Sequence, residues 1–334
     1  MEGVTPGSDK KAVWPWVELV ILIIALATVA AWYYFGNSIS STPSQSISTP
    51  ASTGTWKEGG GAVSGKYADA DVVDLGNGKF RMYYSVEPEV AGNKLEIYSA
   101  TSSDGKTWQQ ENGTRKTMAT FPDAIKLPDG RFRIYYQNAG VIKSATSTDG
   151  LTFTDEPGTR IAKDETGFNL ESVGAQTTTQ LDDGTFVMAY RGTINIPYQG
   201  KDKVPNQNTQ LYFYATSTDG LTFTKKGLAL DSRNDTLNGL TDGGEWFKWS
   251  PSSDSEQVDL RLYFWTYAGV YHVNYKSGKF TTDPTFDFMN QKTDALNKFP
   301  QNPPGDPTLA KIGEQWFMYY GQHTKGIYYA TYSN

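Results

Sequence analysis

The sequence predicts an all-β fold, a five-bladed β-propeller, preceded by one transmembrane helix and a Ser/Thr/Pro-rich stalk. One phrase occurs three times, as ATSSDGKTW at 100–108 and as ATSTDGLTF at 145–153 and 215–223. Each copy closes an alternating apolar run, and Asp-Gly between two such runs is a strong hairpin signal. The aromatic residue after each Asp-Gly recurs at intervals of propeller-blade size, which divides the chain into five units. The closing aromatics are Trp56, Trp108, Phe153, Phe223 and Phe280.

The first part of the chain is typical of a membrane anchor. Residues 17–35 are apolar apart from Glu18, which is enough to cross a bilayer as a helix. Lys10 and Lys11 precede this span and no charged residue follows it before Lys57, so the positive-inside rule places the N-terminus in the cytoplasm and the remainder outside the cell. A cleaved secretory signal is the alternative, but the span is long for one and no clear cleavage site follows. The run KKAVWPWVELVILIIAL resembles the class III leader of archaeal pilins.

The next stretch, GNSISSTPSQSISTPASTG, is typical of an extended linker, because Ser, Thr and Pro bury too little apolar surface to fold. We expect it to hold the globular part off the membrane. The predicted segments are a cytoplasmic N-terminus at 1–13, a transmembrane anchor at 14–35, the Ser/Thr/Pro-rich linker at 36–54 and the propeller at 55–334.

Composition excludes several classes of function. The 334 residues carry a formal charge of −6 without a basic stripe, which argues against nucleic acid as a partner. The chain has no cysteine and only two histidines, His272 and His323. Disulfides and thiolate metal sites are therefore excluded, and two histidines are few for a Ser-His-Asp triad or a His-rich metal site. We expect no cofactor and no metal-ligating site residue, while a structural ion in the propeller channel and the oligomeric state stay open.

The five units supply their strands in the same order. Each has an innermost strand, a short turn, a second strand rich in tyrosine and a third strand that ends at the Asp-Gly phrase or its remnant. The predicted innermost, second and third strands are DVVDL, KFRMYYS and KLEIYSA in unit one; DAIKL, RFRIYYQ and GVIKSA in unit two; TTTQL, TFVMAYRG and QLYFYA in unit three; SPSS, LRLYFWTY and GVYHVNY in unit four; DPTLAKI, WFMYYG and GIYYATYS in unit five.

Unit five ends without an outer strand. Thr55-Trp56 matches Thr107-Trp108 and directly precedes unit one, so it can complete the last blade. A strand from one terminus commonly closes a propeller in this way. A β-sandwich is the alternative, because all predicted strands are antiparallel hairpins, but a displaced strand in a five-unit repeat favours the propeller.

The Asp-Gly phrase resembles a shortened sialidase Asp-box, whose role is structural. Asp104, Asp149 and Asp219 would therefore fix the turn between outer strands and are not catalytic candidates. The tyrosines of the second strands, such as Tyr83 and Tyr135, are expected between blades as core.

The starts of the innermost strands are different, because in a propeller they line the central funnel. Aligning the units on the second-strand Tyr-Tyr pair places five triplets at equivalent positions. They are Asp69-Ala70-Asp71, Phe121-Pro122-Asp123, Ala175-Gln176-Thr177, Ser250-Pro251-Ser252 and Asp306-Pro307-Thr308.

With these triplets the chain resembles the five-bladed glycoside hydrolases of family 43 and its furanosidase relatives, over about residues 55–334. Asp69, in YADADVVDL, matches the general base of that family, and Asp123, in FPDAIKL, matches the Asp that tunes the acid and orients the substrate. The family's general acid is a Glu that opens blade three. Here Ala175 occupies that place, with Glu171 four residues upstream. The resemblance implies Asp69, Asp123 and Glu171 as base, modulator and acid.

Glycoside hydrolysis needs such residue types. One carboxylic acid protonates the leaving oxygen, one carboxylate activates water or attacks carbon, and a third nearby raises the pKa of the acid. The alternative is that Asp69 and Asp123 bond backbone N–H groups at the funnel mouth. Further residues near the funnel could contact a sugar: Phe121, Trp246 and Trp249 by stacking, and Arg191 and His323 because they follow second strands.

We therefore expect a membrane-anchored extracellular glycoside hydrolase, inverting and family 43-like, that acts on a polysaccharide or other glycan. The alternative is a non-catalytic carbohydrate-binding or scaffold propeller on a membrane stalk or surface filament. An enzyme needs a third Glu or Asp that points into the funnel, and a binding module does not.

Overall fold

All regular structure is β in the part of the chain that the computed structural model describes, residues 56–87, 92, 94–198, 208–249, 259–290, 303–322 and 325–333. These residues lie within one compact unit, Thr49–Asn334. None of them forms a helix long and apolar enough to span a bilayer. The predicted anchor and linker, residues 1–54, lie outside the described residues.

The described residues form 22 strands. In chain order they are β1 (Trp56–Ser64), β2 (Tyr67–Gly76), β3 (Lys79–Val86), β4 (Glu96–Ser102), β5 (Gln109–Gln110), β6 (Lys116–Thr117), β7 (Thr120–Lys126), β8 (Phe132–Asn138), β9 (Val141–Ser147), β10 (Thr154–Asp155), β11 (Leu170–Gln180), β12 (Phe186–Pro197), β13 (Asn208–Ser217), β14 (Thr224–Leu230), β15 (Asp242–Trp249), β16 (Asp259–Thr266), β17 (Gly269–Lys276), β18 (Lys279–Phe280), β19 (Thr285–Phe288), β20 (Gly305–Ile312), β21 (Gln315–Gly321) and β22 (Gly326–Tyr332).

The strands form five antiparallel sheets, which are the blades of a five-bladed β-propeller. Blades 1 to 4 follow chain order as β2-β3-β4-β5, β7-β8-β9-β10, β11-β12-β13-β14 and β15-β16-β17-β18, with β6 and β19 as extra outer strands on β4 and β17. The innermost strands β2, β7, β11, β15 and β20 contact one another in a closed ring. This ring confirms the predicted propeller in place of a two-sheet sandwich.

Blade 5 is completed by the N-terminal strand. Its order is β20-β21-β22-β1, and β1 pairs antiparallel with β22 from Trp56 opposite Tyr332 to Ser64 opposite Gly326. Gly326 has a φ of 108°, and a Cβ there would overlap the carbonyl oxygen of Val63, so this close approach requires glycine. The predicted closure by the strand around Trp56 is confirmed.

The three Asp-Gly phrases form one repeated turn. In the second copy, Oδ1 of Asp149 accepts hydrogen bonds from the N–H groups of Leu151 and Thr152 at 2.8 and 2.9 Å and from Oγ of Ser147 at 2.8 Å. Asp104 and Asp219 accept the same three bonds in their own copies. These aspartates are exposed and satisfied by their own turns, as a structural role requires.

Each turn also docks on the preceding blade. Tyr83 and Arg81 of blade 1 donate to the carbonyl oxygens of Gly150 and Asp149 at 2.8 and 3.0 Å. Tyr135 of blade 2 donates to the Gly220 carbonyl at 2.9 Å, and Tyr319 of blade 5 to that of Gly105 at 2.8 Å. The second-strand tyrosines are therefore core between blades, as expected, and they recognise the turn of the next blade through its backbone.

We expect Asp149→Ala to lower the free energy of unfolding by about 1 kcal/mol, the usual effect of losing local cap or turn bonds. Hydrogen bonds from the backbone N–H groups of Thr152 and, to a smaller extent, Leu151 lower the pKa of Asp149 from 3.8 to about 2. A depressed pKa stabilises the fold above pH 3.8, and this stabilisation is lost as pH falls toward 2. Denaturant unfolding at pH 6 and pH 2 should show a difference between variant and parent that disappears at the lower pH. Loss of ligand binding at unchanged stability would contradict the structural role.

Blade 4 differs from the sequence prediction. The stretch SPSS, taken as its innermost strand, begins at Ser250, which lies outside the described residues, and the strand is β15, Asp242–Trp249. The triplet equivalent to Asp69-Ala70-Asp71 is therefore Gly243-Gly244-Glu245. Gly243 leaves room for the Asp306 side chain, and Gly244 leaves room for the Tyr263 carbonyl. These two glycines remove the alternating pattern by which the strand could have been identified.

Candidate functional site

A β-bulge lies near the start of every innermost strand and turns one residue toward the propeller axis. The ladder skips a position there in all five blades. The bulged residues have left-handed backbone conformations, with φ of 54° at Asp69, 50° at Phe121, 45° at Ala175, 23° at Gly243 and 46° at Asp306. Such conformations are strained for residues other than glycine and concentrate at functional sites. The equivalence of four of the five predicted triplets is thus borne out by backbone geometry.

Three of the bulged residues, Asp69, Phe121 and Asp306, line a cavity of about 200 Å³. An apolar cavity of roughly 150 Å³ is enough to hold a six-membered ring such as benzene, so one sugar ring fits this space. Its polar and aromatic lining consists of Asp69, Glu87, Phe121, Arg191, Gln210, Asp242, Trp265 and Asp306. Of the sequence-predicted site residues, the structure brings Asp69, Phe121 and Arg191 together here.

Asp69 and Asp306 form a carboxyl pair in the cavity. Burial and the negative charge of Glu87 raise the pKa of Asp69 to about 7, although hydrogen bonds from Ser85 and Asp306 offset part of this rise. Burial and the charge of Asp69 hold the pKa of Asp306 well above its usual range. The two carboxyl groups are hydrogen-bonded to each other, and burial favours a proton shared by the pair.

Asp306 is itself held in place by blade 4. The indole Nε1 of Trp265 donates to its Oδ1 at 3.1 Å, and the same oxygen occupies the space beside the Cα of Gly243. Asp69 is oriented by the backbone N–H of Phe121, which lies 3.4 Å from its Oδ2. The two carboxyl groups come from opposite ends of the described sequence and are held by contacts from blades 2 and 4.

Arg191 and Asp242 form a buried ion pair in the same cavity. Nη1 of Arg191 donates to both carboxylate oxygens of Asp242, at 2.8 and 2.6 Å, and Nη2 donates to Oε1 of Gln137 at 3.3 Å. The guanidinium also lies over the Phe121 ring, 5.2 Å from its centroid. A buried charge needs such a partner, so this arginine is already neutralised by the protein.

A second layer of polar groups lies two residues further along each innermost strand. There, side chains bond across blades: Asp71 accepts from the N–H of Ala124 at 2.6 Å, Asp123 from Oγ1 of Thr178 at 2.7 Å, and Glu245 from Oγ1 of Thr308 at 3.1 Å. Burial, followed by the charges of the neighbouring carboxylates, raises the pKa of Asp123 and of Glu245 well above the usual range. Burial also raises the pKa of Asp71, to about 6.

Asp123 therefore lies in the layer beneath the cavity and does not line it. Asp123 is 5% exposed, and its carboxylate bonds the Thr178 hydroxyl of the neighbouring blade. In this position it can act on a cavity group only through the charge that the buried carboxyls share.

Glu171 is not in the funnel. It is exposed near the start of β11, where its Oε2 accepts a hydrogen bond from Nδ2 of Asn208 at 3.1 Å. At the blade 3 place that the resemblance assigns to a Glu, Ala175 is 2% exposed and brings no carboxyl group to the funnel. Oε1 of Gln137 occupies the space beside its neighbour Gly174. Two other glutamates reach the axis instead, Glu87 in the cavity and Glu245 beneath it.

The two tryptophans proposed as stacking platforms lie in hydrophobic cores. Trp246 is 4% exposed and packs on Tyr275 and Phe280, with ring centroids 5.4 and 5.8 Å apart. Trp249 is also 4% exposed and packs on Trp316 at 5.1 Å. The aromatic residues of the cavity are Phe121 and Trp265. His323 lies outside the described residues.

Five polar or aromatic cavity residues were missed from the sequence: Glu87, Gln210, Asp242, Trp265 and Asp306. A signal existed for two of them. Asp306 aligns with Asp69 in the repeat. Glu87 follows the second strand of blade 1, and Arg191 was proposed as a site residue because it follows a second strand in the same way. Asp242 and Trp265 belong to blade 4, whose register the sequence did not reveal.

No group of three or more His, Cys, Asp or Glu side chains has metal-binding geometry within the described residues. A structural ion in the channel stays a prediction.

No protein-family model and no curated protein matches the sequence. Solved structures do match in fold. One is of the GH130 family of mannoside phosphorylases, described as containing glycoside hydrolases that target β-1,2 mannosidic linkages in Candida mannan, with a TM-score of 0.57, 17% identity and coverage of 82% of this chain and 85% of that one.

Two further structures match to the same degree. A glycosyl hydrolase from Bacteroides ovatus has a TM-score of 0.57, 16% identity and coverage of 82% and 85% of the two chains. A thermostable family-43 glycoside hydrolase has a TM-score of 0.57, 15% identity and coverage of 81% and 89%. At these identities the likeness shows the five-bladed propeller fold.

Proposed function

We propose that this chain is a glycoside hydrolase whose catalytic carboxyl groups lie in the funnel cavity. The observation that carries the proposal is the convergence of Asp69, Glu87 and Asp306 on a cavity large enough for one sugar ring. Two aromatic side chains, Phe121 and Trp265, line the same space and offer surfaces for the C–H face of a sugar. The propeller glycoside hydrolases among the structural neighbours support a glycan as the substrate.

In this proposal Asp69 is the general base. Its pKa of about 7 suits a group that must take a proton from water near neutral pH. Asp306 is hydrogen-bonded to Asp69 and so cannot be its acid partner, since an inverting mechanism needs the two carboxyl groups roughly 6.5–9.5 Å apart. Asp242 is bound to Arg191. Glu87 remains as the residue that protonates the leaving oxygen.

The hydrolytic step in this proposal needs two proton transfers. Asp69 takes a proton from a water molecule, whose oxygen attacks the anomeric carbon as the glycosidic C–O bond breaks. Glu87 gives its proton to the departing oxygen, and exchange with solvent restores both groups. Asp306 and Trp265 act as positioning residues, because they hold Asp69 and its hydrogen bond in place.

The pH dependence tests this assignment. Because Asp69 must be ionised, kcat/KM for an aryl glycoside should rise with pH and reach half its limiting value near pH 7. Asp306→Ala removes a hydrogen bond that lowers the pKa of Asp69, so the midpoint should move to higher pH. Asp306→Asn keeps a donor and should leave it nearly unchanged. A midpoint near pH 4 in all three proteins would contradict Asp69 as the base.

A non-catalytic carbohydrate-binding propeller is the second candidate. This candidate is favoured by blade 3, where Ala175 stands in the position that the resemblance assigns to the acid and Glu171 is exposed. A dinitrophenyl glycoside, whose leaving group needs no protonation, separates the candidates, because a hydrolase cleaves it even when its acid is impaired. For either function we propose that the propeller stands outside the cell on a membrane tether, which is supported by the apolar run at 17–35 and the two lysines before it.

A further inference from the structure

The cavity offers many hydrogen-bond acceptors. The carboxyl groups of Asp69, Glu87, Asp242 and Asp306 line it. Gln210 also lines it, is 8% exposed, and its side-chain oxygen has no hydrogen-bond partner in the described structure. A buried acceptor without a donor is unfavourable, so a ligand that brings N–H or O–H groups would satisfy it.

Positive charge is scarce in the same space. Arg191 is the only basic residue among the described residues of the cavity lining, and Asp242 and Gln137 already take its two terminal nitrogens. Only its Nε lacks an acceptor. One N–H can serve a sugar hydroxyl, but it does not offset the charge of a ligand carboxylate against the surrounding acidic groups.

The layer of polar groups beneath the cavity adds to its negative electrostatic potential. Asp71 and Glu245 are hydrogen-bonded to each other, and Asp123 lies beside them. Of these groups Asp71, whose pKa is about 6, is ionised at pH 7 and contributes negative charge from below. Coulomb attraction at an effective dielectric constant near 20 is still several-fold stronger than in water, so this field acts strongly on a charged ligand.

We infer that the cavity ranks sugars by charge, holding an amine-bearing sugar more tightly than the neutral sugar of the same configuration, and the neutral sugar more tightly than the uronic acid. This rests on the proposed function only in that the ligand is a sugar. The ammonium group donates three hydrogen bonds to the acceptors, and the Phe121 and Trp265 faces also suit a cation. An acidic sugar would bring a further unpaired carboxylate.

The test uses nine methyl glycosides at pH 7, namely the 2-amino sugar, the neutral hexose and the uronic acid in the gluco, galacto and manno configurations. Dissociation constants are measured by calorimetry on the full chain. In the configuration that binds best, we expect the amino sugar to bind about tenfold more tightly than the neutral one, and the uronic acid at least tenfold more weakly, in line with the removal or addition of one close charge pair.

Two variants make the argument specific. Asp242→Asn releases Arg191, and the uronic acid should then gain about tenfold in affinity while the amino sugar loses affinity. Gln210→Met keeps the charges but removes the free acceptor, so it should weaken the amino and neutral sugars alike. Glu314→Gln is the matched control, because Glu314 is exposed and its side chain pairs with Lys311 in the β20–β21 turn, at the other end of these strands from Asp306.

Tighter binding of any uronic acid than of its neutral counterpart overturns the inference, and so does the failure of all nine compounds to bind. The outcome is independent of catalysis. Binding in the expected order by a protein that cleaves no glycoside would contradict the proposed hydrolase and support the charge ranking. Efficient cleavage of an aryl glucuronide would support the hydrolase and contradict the charge ranking.

Discussion

Asp69→Asn is expected to lower kcat/KM by about a thousandfold, within the range by which a positioned general base accelerates a reaction. The amide cannot accept the proton of the attacking water, so the loss should appear on substrates with good and poor leaving groups alike. The fold should be retained, because asparagine tolerates the left-handed backbone that position 69 adopts, with a φ of 54°. Initial rates on a panel of aryl glycosides, with circular dichroism as the check on folding, measure both effects.

Two further variants serve as the test of the acid and as the control. Glu87→Gln should lose activity on nitrophenyl and natural glycosides but keep most of it on dinitrophenyl glycosides, which need no acid. Asp74→Asn removes a carboxylate from the same strand at an exposed position, where it bonds the N–H of Gly76, and should leave the rates unchanged. Equal activity of Asp69→Asn and the parent would exclude Asp69 as the base.

Trp56→Ala is expected to lower the free energy of unfolding by about 3–5 kcal/mol, as truncation of a large buried aromatic residue usually does. Trp56 is 7% exposed and packs on Trp249 and Tyr332, with ring centroids 6.2 and 5.3 Å apart. It also opens the strand that joins the two ends of the propeller. Since small proteins are stable by only about 5–15 kcal/mol, a loss of this size is a large part of the total.

Denaturant unfolding followed by tryptophan fluorescence measures this loss. Trp56→Phe should recover a substantial part of it, because most of the apolar contact is kept. A loss of less than about 1 kcal/mol for Trp56→Ala, the level of an ordinary substitution, would show that the first strand adds little to the closure of the ring.

The repeat was predictable from the sequence because its determinants are local. Each Asp-Gly turn is closed by bonds that span two or three residues, from Asp149 to Leu151 and Thr152 for example. The displaced strand at Trp56 was equally visible, since a blade with three strands must find a fourth. The place of Asp69 at the axis followed from the same alignment of units.

The site itself depended on contacts between distant parts of the chain. Asp69 contacts Asp306, and Arg191 pairs with Asp242, between blades whose residues are far apart in the sequence. Spacing alone could not show that Gln137 fills the space beside Gly174, or that Trp246 is buried in a core. The innermost strand of blade 4 was missed because its Gly243 and Gly244 are required by the Asp306 side chain and the Tyr263 carbonyl that lie beside them.

The sequence by itself determined the number of blades, their turns and the strand that closes the ring, because hairpin turns and alternating strands are specified by residues a few positions apart. Only the tertiary structure decided which carboxyl groups share the cavity, which of them lie beneath it and which arginine is already paired. Those outcomes depend on burial and on distances between blades, and these are properties of the folded chain that no short stretch of sequence contains.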